Sequence, residues 1–368
     1  MPHKVLISGG GTGGHIFPAI AIAKAIEDLE PDTELLFVGA VGKMEMDKIP
    51  AAGYNIIGLS ISGIKRNFAV SNVLFPIKLA LSLIRSWFII RQFKPNVVVG
   101  VGGFASGPVL RVATWMKIPT LIQEQNSHAG LVNRWVAKSV NLICVAYNDM
   151  ERFFPVSKIR KTGNPVRREM IEIEGKKQRA LDHFGFSDKL PVLLIVGGSL
   201  GARSVNRAIE NDLDSLLEHP LQIIWQTGKH FAVERESIRV KYSDKLLFIT
   251  QFIQEMDLAY AAADVVVSRA GAIAVSELAI VAKPTILVPF PHAADDHQTK
   301  NALALEQAKA ARYIADVTAR NLLVPAILQL IDDLETRQSF SNNIKQFAKP
   351  EAAKNIALAV LELAKRNE

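Results

Sequence analysis

Lys4-Val5-Leu6-Ile7-Ser8-Gly9-Gly10-Gly11-Thr12-Gly13-Gly14-His15 is a short apolar run that empties into a glycine loop. The same grammar returns at Val192-Leu193-Leu194-Ile195-Val196-Gly197-Gly198-Ser199-Leu200-Gly201-Ala202. A continuous apolar run, in place of alternation, predicts a parallel strand covered on both faces. A glycine loop between strand and helix lets backbone N–H groups approach a phosphate, with the helix dipole favouring the anion. Around the first loop, strands are predicted at Val5–Ser8, Glu34–Val38, Ile56–Ile61, Val97–Val101, Thr120–Gln123 and Leu142–Ala146. Around the second they fall at Val192–Val196, Gln222–Trp225, Leu246–Ile249, Val265–Val267 and Thr285–Val288. Strand followed by helix, repeated in two halves, predicts an α/β fold of two Rossmann-like doubly wound domains facing across a cleft. Two such loops make a ligand held between the domains the expectation.

The boundary is placed at Gly163-Asn164-Pro165, giving an N-terminal domain over 1–163 and a C-terminal domain over 164–349. Between their strand runs, Glu169–His183 is charged, helix-like and without a strong core pattern. In 350–368 a last helix, Glu351–Arg366, presents Ile356, Val360 and Leu363 on one face and could dock on either domain.

With 368 residues, 49% hydrophobic and 21% charged, the chain reads as an ordinary globular protein of two domains. Its single cysteine, Cys144, cannot form an internal disulfide, so a reducing compartment is expected. Lys4–Ile7 already reads as a strand, so no signal peptide is expected. No run approaches ~20 uncharged apolar residues, the length of a spanning helix. The expected location is the cytosol or a membrane surface. The net charge of +7 is unevenly placed. From Lys48 to Gln123 there is no Asp or Glu, against nine Lys and Arg: 48, 65, 66, 78, 85, 91, 94, 111 and 117. Such a one-sided field attracts an anionic surface or ligand. Val73–Phe93 reads as a helix with one narrow polar stripe of Lys78, Ser82, Arg85 and Gln92, the remaining faces being apolar and largely packed inside. Just before it, Ile64, Lys65, Arg66 and Phe68 mix apolar and basic groups as a contact with anionic membrane lipid requires. Nucleic acid, the rival anion, has no fold signature here and is not expected as a partner.

The first loop lacks the dinucleotide pattern, because no acidic ribose ligand appears about 20 residues on, and no Lys-Ser/Thr follows to make it a Walker loop. His15, at the start of the first helix, could merely cap or pack; as a neutral imidazole near the cleft it could instead take a hydroxyl proton. Glu124, in Gln123-Glu124-Gln125-Asn126, stands at the carboxyl end of a strand, where ligands bind, and is a second candidate base or orienter. In Arg269–Glu277, small residues keep a helix start open. Glu277 there could accept both ribose hydroxyls, or could simply be an acid favoured by the first-turn dipole. His292, Asp295, Asp296 and His297 match no common zinc spacing, and Asp212-Leu213-Asp214 reads as surface, so no metal is predicted.

Taken together, Gly10–His15, Gly102–Pro108, Glu124–Asn126, Gly163–Arg167, Gly197–Ala202, Arg269–Glu277 and Asp296–Gln298 closely resemble the MurG family of peptidoglycan N-acetylglucosaminyltransferases, in the family's order and over most of the chain. The resemblance implies a GT-B fold and an inverting, metal-independent transfer of GlcNAc without any cofactor. The donor would be UDP-GlcNAc, and the acceptor the MurNAc 4-hydroxyl of undecaprenyl-pyrophosphoryl-MurNAc-pentapeptide. It implies donor contacts from Thr12, Gly13, Gly14, Asn126, Arg167, Ser199, Ile253, Ala272, Ile273, Ala274, Val275, Ser276, Glu277 and Gln298. Acceptor or membrane contacts would fall at Ile64, Lys65, Arg66, Phe68 and Phe104. It also implies a last helix packed on the first domain, residence at the cytoplasmic face of the bacterial membrane, and other cell-wall enzymes as partners. Two departures matter. Many members carry His where this chain has Gln123, and some carry Tyr where it has Phe104, so neither group is obligatory here. The alternatives are a related two-domain enzyme that transfers a sugar to another lipid acceptor or epimerises UDP-GlcNAc without transfer, and, from a different class, a scaffold that binds UDP-GlcNAc and recruits cell-wall enzymes to the membrane.

Overall fold

The computed structural model describes residues 2–61, 75–244, 246–293 and 296–366. The chain divides into two compact units, one of Met1–Arg167 with Pro350–Glu368 and one of Arg168–Lys349. The first unit carries strands β1 Lys4–Ser8, β2 Glu34–Ala40, β3 Ile56–Leu59, β4 Val97–Gly100, β5 Thr120–Glu124, β6 Leu142–Val145 and β7 Ile159–Lys161. Its helices are α1 Gly13–Leu29, α2 Glu45–Ala51, α3 Phe75–Phe93, α4 Ser106–Trp115 and α5 Leu131–Val136. The second unit carries β8 Val192–Val196, β9 Gln222–Gln226, β10 Leu247–Thr250, β11 Val265–Ser268, β12 Thr285–Leu287 and β13 Arg312–Tyr313. Around them lie α6 Arg168–Ile171, α7 Lys177–Phe184, α8 Arg203–Asn211, α9 Leu213–Glu218, α10 Ala232–Lys241, α11 Met256–Ala262, α12 Ala272–Val281, α13 His297–Gln307, α14 Ala319–Asp332 and α15 Leu334–Ile344. A last helix, α16 Ala352–Lys365, belongs to the first unit.

Each sheet is parallel throughout, ordered β3-β2-β1-β4-β5-β6-β7 in one unit and β10-β9-β8-β11-β12-β13 in the other. Both orders reverse direction once, beside β1 and beside β8, as a doubly wound fold requires. The apolar runs explain the layering. Successive strand residues face opposite ways, so Val5 and Ile7 join one core with Ile16, Ile22 and Ile26, while Leu6 joins another with Val98, Leu110 and Ile122. Onto the first of these faces α16 lays Ile356, Val360 and Leu363. Each buried side chain of this size stabilises by about 1.5–3 kcal/mol. Arg160–Glu362 and Lys365–Glu30 ion pairs flank it.

Three expectations need correction. The connector is not coreless: Met170, Ala180 and Leu181 are buried, and Phe184, just past it, meets Phe248 edge-on at 4.9 Å. The strands β7 and β13 escaped prediction because they are two or three residues long, charged and at sheet edges, which is how edges are kept from pairing further. Most instructive is α3, where two serines turn inward and part of the apolar surface faces outward. Ser82 and Ser86 face inward with Ile89 and Ile90, while Ile77, Leu81, Ile84 and Phe88 are 56–59% exposed. The small serines let α3 approach its neighbour closely, and Ser86 satisfies its hydroxyl on the Ser82 carbonyl one turn back, 2.7 Å away. Cys144 is buried in β6, and burial pushes its thiol up to about 12, so it carries no thiolate chemistry.

Candidate active site

In the first unit the switch point lies between β1 and β4, and the loops leaving both strands pack backbone on backbone. The Gly10 N–H donates to the Gly102 carbonyl at 3.2 Å. Gly102 and Gly103 hold φ of +95° and +86°. A Cβ at Gly103 would come within 2.3 Å of the Gly10 oxygen, and one at Gly102 within 2.7 Å of the His15 ring. Only glycine permits that approach. The half-buried His15 ring therefore rests on a floor of peptide, with Nδ1 3.0 Å from the Gly10 carbonyl oxygen. A carbonyl can only accept, so Nδ1 carries the proton and Nε2 keeps its lone pair. Burial lowers the pKa of His15 below the ordinary histidine value, against the opposing pull of Glu124, the Gly10 carbonyl and Glu45. The imidazole is accordingly neutral at pH 7.

Glu124, at the end of β5, is buried and fully engaged. One carboxylate oxygen accepts the Asn126 N–H at 3.0 Å and the Asn126 amide at 3.3 Å. The other accepts the Gly130 N–H at 2.9 Å and the Asn133 amide at 2.9 Å. These four donors make Glu124 the clamp of the 125–130 loop. Gln123 and Gln125 join Asn164 in a buried amide chain, Gln123 donating to Asn164 at 3.1 Å and Asn164 to the Gln125 carbonyl at 3.1 Å. Arg167 lies over the Phe17 ring of α1 at 4.7 Å, within the same unit as Thr12, Gly13 and Gly14. Phe104 is exposed before α4. Ile64, Lys65, Arg66 and Phe68, on which the membrane reading leaned, lie outside the described residues.

The first glycine loop also departs from a plain phosphate cradle. The Gly11 N–H already donates to a carboxylate oxygen of Glu45 at 2.8 Å. Sequence reasoning missed Glu45, because an acid five residues past a strand carries no motif.

In the second unit the switch point lies between β8 and β11. Here Gly201 (φ +91°) and Gly228 (φ +78°) let the loops after β8 and β9 touch; a Cβ at Gly228 would come within 2.1 Å of the Gly201 nitrogen. Ser199 sits on the first loop, its carbonyl accepting from the Lys229 N–H at 3.2 Å. Two helix starts open here, at α8 and at α12. Among the described residues neither has a side-chain cap or an acid in its first turn, so their N–H groups are available to an anion. Glu277 is buried in the second turn of α12, not the first, so the dipole does not explain it. Gln298, at the start of α13, accepts the Phe290 N–H at 3.0 Å and turns its amide toward Gly271. The Ile253 N–H, also buried, donates to Gln226 at 3.0 Å. Behind these, Arg269 donates to the carbonyls of Val288 and Pro289, to Asp316 and to Ser204, a keystone the sequence did not reveal. Among the described residues no three His, Cys, Asp or Glu side chains are grouped closely enough to hold a metal ion; Asp295 lies outside them.

Residues 5–145 match the glycosyltransferase family 28 N-terminal domain and residues 192–356 match the family 28 C-terminal domain. Together they place the chain among the family 28 glycosyltransferases. Curated relatives are nearer still. A protein of Cytophaga hutchinsonii is 49% identical over 98% of this chain and 97% of its own length, and one of Bacteroides fragilis is 48% identical over 99% and 96%. Both are named UDP-N-acetylglucosamine--N-acetylmuramyl-(pentapeptide) pyrophosphoryl-undecaprenol N-acetylglucosamine transferase. The crystal structure of Acinetobacter baumannii MurG is similar at a TM-score of 0.74 and 29% identity, covering 98% of this chain and 100% of that one. A UDP-N-acetylglucosamine 2-epimerase, at a TM-score of 0.67 and 14% identity, shares the fold alone. The chain belongs to the MurG family of N-acetylglucosamine transferases.

Proposed function

We propose that this chain transfers GlcNAc from UDP-GlcNAc to the 4-hydroxyl of MurNAc in undecaprenyl-pyrophosphoryl-MurNAc-pentapeptide, with inversion at the anomeric carbon. The observation that carries the mechanism is a neutral His15 whose Nδ1 proton is pinned on a backbone carbonyl, leaving Nε2 as the accepting atom. His15 Nε2 takes the proton from the acceptor hydroxyl while that oxygen bonds to the anomeric carbon and the bond to UDP breaks. The departing diphosphate is stabilised by N–H groups at the starts of α8 and α12, near Ser199 and Ala272. Glu277 accepts the ribose hydroxyls. Gln298 and Asn126 orient the sugar, Asn126 held in place by Glu124. Nothing in this sequence of steps calls for a metal ion.

The test is UDP release from UDP-GlcNAc with and without a lipid-linked MurNAc-peptide, in EDTA. Release is expected only with the acceptor. A new sugar formed without acceptor would mean epimerisation, binding without release a scaffold, and loss of release in EDTA restored by Mg²⁺ a metal-dependent reaction.

The acceptor's lipid requires a membrane, and α3 supports a peripheral contact with anionic lipid at the cytoplasmic face. Its exposed Ile77, Leu81, Ile84 and Phe88 run at helical spacing beside Lys78, Arg85 and Arg91. Nearby in the sequence, Arg111 lies 5.6 Å from both the Trp115 and the Trp135 rings, two exposed indoles of the kind that seat at a headgroup layer. Among the described residues no helix is long and apolar enough to cross a membrane. Converting the four apolar residues of α3 to serine, at about 1 kcal/mol each, should weaken binding to anionic vesicles by about two to three orders of magnitude. Turnover of a water-soluble acceptor should stay within about twofold. Unchanged co-sedimentation would remove α3 as the membrane face.

A further inference from the structure

After β2 the chain turns into α2 and buries Glu45 completely. Its Oε1 accepts the Ala40 N–H at 3.0 Å, and its Oε2 accepts the Gly11 N–H at 2.8 Å. The space is made for it: a Cβ at Gly10 would lie 2.2 Å from the carboxylate carbon, and one at Gly39 2.6 Å from Cγ.

The N–H that Glu45 holds and the carbonyl that His15 holds belong to one peptide group, Gly10–Gly11. That group is planar and trans, so its N–H and C=O point in opposite directions. Glu45 grips one end, and the other end then faces His15 Nδ1 at 3.0 Å. Between two glycines a peptide flip costs little. A flipped peptide would offer its N–H to Nδ1 and force the proton onto Nε2, the atom that must accept the acceptor's proton. We infer that Glu45 is a positioning residue for the transfer reaction, locking the Gly10–Gly11 peptide so that His15 is held in its Nδ1–H tautomer. The chain of carboxylate, peptide and imidazole also polarises in one direction, which strengthens the bond to Nδ1 when the ring gains its second proton. The catalytic consequence rests on His15 being the base; the tautomer lock does not.

The test uses full-length Glu45→Gln, checked for a native unfolding transition, with three readouts. ¹⁵N NMR of the His15 ring should show a clean Nδ1–H tautomer in the parent and a mixture with Nε2–H in the variant. The kcat should fall about tenfold to a hundredfold, within the range of general-base contributions, while KM for UDP-GlcNAc stays within about twofold. The acid limb of the pH profile should move to lower pH, because the negative charge of Glu45 raises His15 against burial while Glu124 and the Gly10 carbonyl stay in place. An unchanged tautomer in folded Glu45→Gln overturns the lock. A loss of activity that only tracks the unfolded fraction does the same. If Gln prevents folding, Glu45→Asp carries the same tautomer and kcat expectations, since its shorter arm cannot reach both N–H groups, while its retained charge should leave the acid limb where it is. Near-normal kcat in His15→Ala would cancel the base assignment and leave the tautomer measurement to decide the lock by itself.

Discussion

Replacing His15 with alanine is expected to lower kcat by about 10²–10⁴, the usual contribution of a positioned base, with KM for UDP-GlcNAc changed little and the unfolding temperature nearly unchanged. The ring is half-buried, lies on glycine peptides and hydrogen-bonds to the Gly10 carbonyl and, at 3.4 Å, to Thr12. Its loss opens no core cavity and leaves no buried charge unpaired, so stability has little to lose. The sign of the pH dependence follows from the same site. Burial lowers the pKa of His15, so the neutral, active form persists to more acid pH than an ordinary histidine would allow. In the parent, the acid limb of kcat/KM should have its midpoint below pH 6.5, the ordinary histidine value. His15→Ala should lose that acid limb along with its rate. An alanine variant that keeps both the rate and the limb would transfer the role of base to another group.

Much of this architecture could be read from residues 4–15 and 192–202 because parallel strands announce themselves by unbroken apolar runs, and glycine loops by composition. The order of β1 and β4 at the switch point could not, since strand adjacency is a long-range property. The α3 helix shows a subtler limit. Periodicity separated its serines from its leucines, but two serines suit either solvent or a tight helix contact, and only the neighbouring surface decides. Glu124 was legible as an important carboxylate. Its four donors were not, because Gly130 and Asn133 reach it only after the chain turns through a loop. Glu45 carried no signal at all: its partners, Ala40 and Gly11, contribute backbone N–H groups, which every residue but proline possesses. The donor side divided in the same way. Small residues around Gly271 marked an open helix start, whereas the arginine beside them looked like part of the motif and proved to be its support.

That support yields the second large effect. Arg269→Ala is expected to destabilise the second unit by about 3–5 kcal/mol, the cost of breaking a buried pair from one side. The guanidinium and the Asp316 carboxylate are 15% and 20% exposed, so solvent compensates little. Removing the cation strands Asp316 and takes a donor from the carbonyls of Val288 and Pro289, to which Arg269 lies at 2.9 and 3.0 Å. It also takes a donor from Ser204, in the first turn of α8, whose hydroxyl accepts from Arg269 and donates to Asp316. Three pieces of the proposed donor site, the ends of β11 and β12 and the start of α8, thus lose their common anchor. KM for UDP-GlcNAc should rise at least tenfold while His15-dependent chemistry in the first unit is left intact. Arg269→Lys keeps the charge, but one ammonium cannot reach four acceptors spread around a planar fork, so it should recover only part of the loss. The sharper check is a cycle with Asp316→Ala. Because much of the single-variant cost is the uncompensated carboxylate, the double variant should be more stable than Arg269→Ala alone, by denaturant unfolding. Simple addition of the two losses would mean that Arg269 acts through the carbonyls and Ser204, with Asp316 incidental. Recovery of stability without recovery of KM would separate the two duties of this arginine, since refilling a charge balance does not restore the geometry of the helix starts.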